Sequence, residues 1–360
     1  MSLAVVAVTE GGAQLARRLG AQYEGVEVHL PARLREADGC RYFETPLSEQ
    51  LPLLFARVDG LVCIMATGIV IRLLAPHLRS KTADPALVVM DEAGRFAVSL
   101  LCGHLGGAND LARELAEITG AQAVITTATD SAGLPAWDSE ARRQGLIPEP
   151  VRNIRVLNRL LLEGAPVALV DREGRIAPQF AHLPFVRRCA TFAEALAASV
   201  SGRVFVTHRH LPGLEWREDL LVLRPKELVA GIGCKRGTRA EEIEAAVLDV
   251  MNSAFLSPES LACVATIDAK KDEEGITAFA RARSLPVEYH DALALNGVEA
   301  PSAPSPRAMA AVGATGVAEP AALLSAGNCN LLVAKKKRGN VTVAVALRSR
   351  ASGAEPFFKR

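Results

Sequence analysis

Short apolar runs alternate with longer amphipathic segments along nearly the whole chain, a pattern that fits parallel strands covered by helices and few other architectures. "LAVVAV" (3–8) reads as a first strand and "GGAQLARRLG" as the helix after it. "LVCIMA" (61–66) reads as a buried strand leading into "GIVIRLLAPHL", and "ALVVMD" and "RFAVSLL" flank the turn "DEAGR" as a hairpin. "GGANDLARELAEITG" (106–120) is a helix stopped by Gly120, and "AQAVITTATD" (121–130) is a further strand.

From 131 to 150 periodicity is lost and three prolines appear, as in a linker. Residues 151–225 hold helix and strand patterns but few chemical groups. "KELVAGIGCKRGTRAEEIEAAVLDVMNSA" (226–254) then reads strand, glycine loop, helix. The Ala-, Gly-, Pro- and Ser-rich stretch 300–320 reads as a mobile loop, and "NLLVAKKKRGNVTVAVALR" as a hairpin turning at "KRGN". At 360 residues the chain exceeds the usual domain size of roughly 100–200. The expectation is an α/β protein in three parts. Residues 1–130 form an open, mostly parallel sheet with flanking helices, 131–225 a linker and small middle α/β region, and 226–350 an α/β domain with a mixed sheet.

Charge narrows the function. With 41 basic and 40 acidic residues the net charge is +1, so no global field draws the chain to nucleic acid or a membrane surface, and any anion site must be local. The seven cysteines (Cys40, Cys63, Cys102, Cys189, Cys234, Cys263, Cys329) are scattered without a C-x-x-C pair, which fits a reducing cytoplasm better than a disulfide framework or structural zinc. The N-terminus lacks the basic start of a signal peptide, and no apolar run approaches the roughly 20 residues of a membrane span.

Five stretches could carry chemistry. In "LLCGHLGGAND" (100–110), Gly103, Gly106 and Gly107 either let backbone N–H groups bind a carboxylate at a helix mouth or simply reverse the chain. His104 is there either for proton transfer or as a satisfied polar group, and Asn109 either caps the helix or orients a ligand. Thr127 and Asp130 end "ITTATD", at the strand ends where open α/β sheets bind ligands, though both types are also common in strands and turns. After "LVCIMA", Thr67 and Gly68 open a helix from which Arg72 could clamp a carboxylate. "GIGCKRGT" (231–238) is neither G-x-G-x-x-G nor a P-loop, which weakens a nucleotide reading. Gly231, Gly233, Lys235 and Arg236 instead suit an anion cradle. Lys270 in "TIDAKKDEEG" either meets a ligand or ends a strand, and "KKKRGN" (335–340) reads as a solvated hairpin tip. The motifs of serine and zinc hydrolases are missing, and no metal ligands are assigned.

The run from "IMATGIVIRLLAPHLRSKTADPALVVMDEAGRFAVSLLCGHLGGANDLARELAEITGAQAVITTATD" resembles the N-terminal domain of the CbiG family, the cobalt-precorrin-5A hydrolases of anaerobic cobalamin biosynthesis. "GIGCKRGT", "TIDAKKDEEG" and "VAEPAALLSAGNCNLLVAKKKRGNVTVAVA" resemble that family's C-terminal domain, which also exists alone as CobE. The resemblance implies a cytoplasmic hydrolase whose substrate is a tetrapyrrole carrying cobalt, many carboxylates and a δ-lactone. Water opens the lactone and the extruded carbon leaves as acetaldehyde. No cofactor of its own is implied, since the cobalt belongs to the substrate, and neighbouring pathway enzymes are the other expected partners. On this reading His104 is the general acid/base, Asn109 and Asp130 position water and substrate, and the remaining candidates bind carboxylates. The rival is a non-catalytic corrinoid carrier, which binds the same molecule without turnover.

Overall fold

The structure, a computed structural model describing residues 2–327 and 330–348, contains three sheets in chain order, so the molecule is an α/β protein. The first comprises β1 (Leu3–Ala7), β2 (Val26–Pro31), β3 (Arg41–Phe43), β4 (Gly60–Ile64), β5 (Ala86–Met90), β6 (Phe96–Leu101) and β7 (Gln122–Val124), in the order β3-β2-β1-β4-β5-β6-β7. β1, β4 and β5 are continuous apolar runs buried at every position, as parallel strands covered on both faces must be. Helices Glu10–Gln22 and Ala108–Thr119 cover one face through Leu15, Leu19, Leu111 and Leu115. Helices Leu47–Phe55 and Thr67–Leu74 cover the other through Leu51, Phe55, Val70 and Leu74.

The expected hairpin at "DEAGR" is present, and it reverses the chain: β6 runs antiparallel to β5, and β7 is parallel to β6. Thr67, Gly68 and Arg72 follow β4, whereas residues 102–110 and 127–130 follow β6 and β7. The two groups therefore lie at opposite ends of the sheet, a strand length of about 17 Å apart. Arg72 is exposed and far from the helix mouth at 104–109, so it and His104 do not face a common site. β7 is also shorter than expected. Its ladder ends at Val98↔Val124, and Thr127 and Asp130 lie in and before a short helix, Ala128–Ser131.

The second sheet comprises β8 (Leu146–Glu149), β9 (Val167–Asp171), β10 (Val186–Arg188), β11 (Gly202–Val206) and β12 (Leu220–Pro225), ordered β10-β9-β11-β12-β8 with β8 antiparallel. Residues 131–150 are thus not a bare linker, for they hold helix Trp137–Arg143 as well as β8. Trp137 is fully buried, stacked on Phe180 at 3.9 Å between centroids, and its indole N–H donates to the Leu157 carbonyl.

The third sheet comprises β13 (Leu228–Cys234), β14 (Leu261–Ile267), β15 (Val287–His290), β16 (Leu331–Arg338) and β17 (Val341–Leu347), ordered β15-β14-β13-β17-β16. β13–β15 are parallel, and the hairpin at "KRGN" makes β16 and β17 antiparallel. Gly231 lies inside β13, where a Cβ would overlap the Ala318 carbonyl of helix Ala318–Ala326; it is a packing glycine rather than part of an anion cradle. The stretch 300–320 is structured as well, holding helix Pro306–Val312, capped by Ser305, and the start of the next helix. Among the described residues no helix is long and apolar enough to cross a membrane.

Candidate functional site

The turn 102–107 answers to the chain's own needs. The Ala108 amide donates to the Cys102 carbonyl (3.1 Å) and the Asn109 amide to that of Gly103 (3.0 Å), so these helix-mouth donors close the turn. Gly107 sits at φ 91°, and the Arg142 guanidinium occupies the space a Cβ would take. Arg142 in turn bonds Asp110 at 2.9 Å, and Leu105 packs against the core of the second sheet. The glycine-lined helix entrance thus receives the neighbouring unit, and the close approach of Asn109 to Gly103, of Cys102 to Gly106 and of Arg142 to Gly107 gives these glycines a role in the turn itself.

His104, Asn109, Thr127 and Asp130 do come together. His104 Nε2 lies 2.8 Å from Asp130 Oδ2 and Nδ1 lies 3.2 Å from Asp138 Oδ1, so in the protonated ring both N–H groups donate to carboxylates. Burial pulls the imidazole pKa down, but Asp138 and Asp130 outweigh it and the pKa is raised. Burial alone would raise Asp130; bonds from Thr127, His104 and Arg113 instead hold it at about 2. Asn109 is buried and fully used, accepting from Ser99 Oγ (2.7 Å) and donating to Thr127 Oγ1 and Asp130 Oδ2 (3.0 Å each). Asp138 was missed in the sequence because it lies in the stretch that reads as a linker.

The C-terminal candidates face a cavity of about 890 Å³. Gly233, Lys235, Arg236 and Lys270 all line it, and so do three cations that the motifs did not reveal, Arg307, Lys335 and Lys337. Lys335 and Lys337 were legible in principle: two residues apart on one strand, they share a face, so "KKKRGN" is more than a solvated tip. Lys270 is buried and paired with Glu273 at 2.9 Å, and Arg236 is exposed and paired with Asp272 at 2.6 Å. Small apolar residues, including Ala269, Ala308, Ala311 and Val317, form the walls. Cys234 lines the cavity too, with its thiol pKa pushed up by burial, while Cys329 lies outside the described residues. Among the described residues no three His, Cys, Asp or Glu side chains converge on a possible metal position.

Comparison with known proteins follows this division into three. Residues 49–130 match the family described as Cobalamin synthesis G N-terminal, 135–225 the Cobalamin biosynthesis central region, and 228–346 the Cobalamin synthesis G C-terminus. Over 353 residues the chain is 35% identical to the cobalt-precorrin-5A hydrolase of Priestia megaterium, covering 96% of this chain and 94% of the relative. Over 354 residues it is 31% identical to the cobalt-precorrin-5A hydrolase of Salmonella typhimurium, covering 96% and 98%. The protein CobE of a Sinorhizobium species is 38% identical over 110 residues, 30% of this chain and 71% of CobE. With its three segments matched in order and two relatives matched over nearly their full length, the chain belongs to the cobalamin synthesis G (CbiG) family.

Proposed function

We infer that the chain is a cobalt-precorrin-5A hydrolase of cobalamin biosynthesis, and propose that the C-terminal cavity holds its substrate. The activity rests on the full-length relatives of that name. The placement rests on one observation, the cavity of about 890 Å³ whose small apolar walls carry a cationic rim. A flat macrocycle studded with carboxylates needs both features, and pockets for such ligands run from roughly 300 to 1,000 Å³. A chain with a net charge of +1 must place its cations locally, and Lys235, Arg236, Arg307, Lys335 and Lys337, which line this cavity, supply the charge-assisted donors that carboxylates require. Cobalt arrives with the substrate. Hydrolysis opens the δ-lactone, acetaldehyde leaves, and cobalt-precorrin-5B is the product.

Two pairs of cationic residues provide the test. In Lys235→Ala/Arg236→Ala and Lys335→Ala/Lys337→Ala, KM for cobalt-precorrin-5A rises roughly tenfold, as expected for lost charge-assisted hydrogen bonds at a partly solvated rim, while kcat stays within about threefold. Anaerobic assay of corrinoid product and acetaldehyde together measures both. Unchanged KM in both variants would remove the substrate from this cavity. Tight binding with no aldehyde from the wild-type chain would favour the carrier.

A further inference from the structure

We propose that Glu319 is the general base that activates water for lactone opening, an inference that rests on the C-terminal cavity being the substrate site. Six cationic side chains line that cavity, and among the described lining residues Glu319 is the one acid. It is buried to 2% exposure in the first turn of helix Ala318–Ala326, and no Lys or Arg forms a salt bridge with it among the described residues. A cavity built only to grip a polyanion gains nothing from an unneutralised carboxylate in its wall, which repels the ligand's own carboxylates. A cavity that hydrolyses an ester needs a proton acceptor there.

Glu319 is also held in place. Its Oε1 accepts from Ser302 Oγ (2.8 Å) and from the Lys335 amide (2.9 Å), at an irregularity in the β16–β17 ladder between Val333 and Lys336. Oε2 has no partner among the described residues, so one oxygen orients the side chain and the other is left for a proton. As the water oxygen bonds to the lactone carbonyl carbon, its proton passes to Glu319, and the carbonyl π pair moves onto oxygen. That pair returns as the ring carbon–oxygen bond breaks, and the leaving alkoxide takes the proton back from Glu319. The outcome is a carboxylic acid and an alcohol, with no redox partner.

Glu319→Gln tests this with the full chain, because an amide oxygen still accepts from Ser302 and Lys335 while losing the basic carboxylate. The expected result is a kcat about 100-fold lower or more, with wild-type melting temperature and with KM unchanged or reduced, since a repelling charge is gone. A kcat within about threefold of wild type overturns the proposal and leaves Glu319 as a support for the irregular strand. If Glu319→Gln lowers the melting temperature, Glu319→Asp, which keeps the carboxylate and shortens its reach, is read in its place. A fall in kcat at constant KM supports the base, and an effect on KM alone or on neither constant overturns it. The rim variants separate the two ideas: if they leave KM unchanged the site itself is misplaced, whereas raised KM beside an active Glu319→Gln sinks only the base.

Discussion

His104 carries a carboxylate on each ring nitrogen, one from the short helix Ala128–Ser131 after β7 and one from helix Trp137–Arg143 at the start of the middle unit. That arrangement serves cohesion better than proton shuttling, because moving a proton breaks an ion pair. The raised pKa means that the stabilisation is complete below the ordinary value of 6.5 and is lost as pH rises through the higher folded value. Asp130, held near 2, contributes fully above its ordinary 3.8 and loses its contribution as pH falls through about 2. The clasp is therefore strongest from about pH 4 to 6.5. His104→Ala should cost roughly 2–3 kcal/mol of stability at pH 6, since the buried Asp138 and the partly buried Asp130 lose their shared cation, and distinctly less at pH 9. Acetaldehyde release per folded molecule should stay within about threefold. A hundredfold fall in kcat at unchanged melting temperature would restore His104 as the general acid/base. The sequence made the His104–Asn109–Thr127–Asp130 set visible for two reasons: His104 and Asn109 stand among glycines at a helix mouth, and Thr127 and Asp130 close an apolar run that reads as a strand. Asp138 and Glu319 did not stand out, one hidden in an apparent linker and the other in an alanine-rich stretch.

Elements were legible where local patterning decides them and obscure where distant pairing does. The continuous apolar runs of β1, β4 and β5 and the glycine-stopped helix Ala108–Thr119 follow from period and caps alone. The reversal at β6 was visible as a hairpin, yet its consequence, separating Arg72 from His104, depends on sheet direction. β8 exists because Leu146–Glu149 pairs with β12 some 75 residues away, as in the Arg224–Glu149 bond, which no local period announces. "GIGC" illustrates the same limit, since its first glycine is required by a helix that arrives much later in the chain. Gly231→Ala forces a Cβ against the backbone carbonyl of Ala318, which cannot rotate away, and should cost roughly 2–3 kcal/mol by thermal or denaturant unfolding. Gly233→Ala meets only Val317 side-chain atoms at 3.6 Å or beyond and should cost less than about 1 kcal/mol. Equal melting temperatures for the two, with substrate binding lost in both, would return the glycines to an anion cradle.

Across the whole molecule, ion pairs tie the middle sheet to its neighbours on both sides. Toward the C-terminal unit, the connection after β12 is pinned by Glu227, which is 6% exposed and gripped by His208 Nδ1 (2.6 Å) and by Arg175. Toward the N-terminal unit, Asp110 accepts from Arg142 (2.9 Å), Arg143 (3.0 Å) and Arg113 (3.1 Å), beside the His104 clasp. Three guanidinium groups on one carboxylate make Asp110 the residue whose removal should loosen this junction most, because Arg142 is largely buried over Gly107 and would be left without this carboxylate. Asp110→Ala should therefore raise amide hydrogen-exchange rates about tenfold or more in residues 102–113 and in helix Trp137–Arg143, while those in β13, β14 and β17 stay as in the wild type. KM should also hold, since the residues lining the cavity all belong to the C-terminal unit. Faster exchange spread evenly over all three sheets would mean that the units unfold as one body. A large rise in KM would mean that the N-terminal unit shapes the substrate site across the junction.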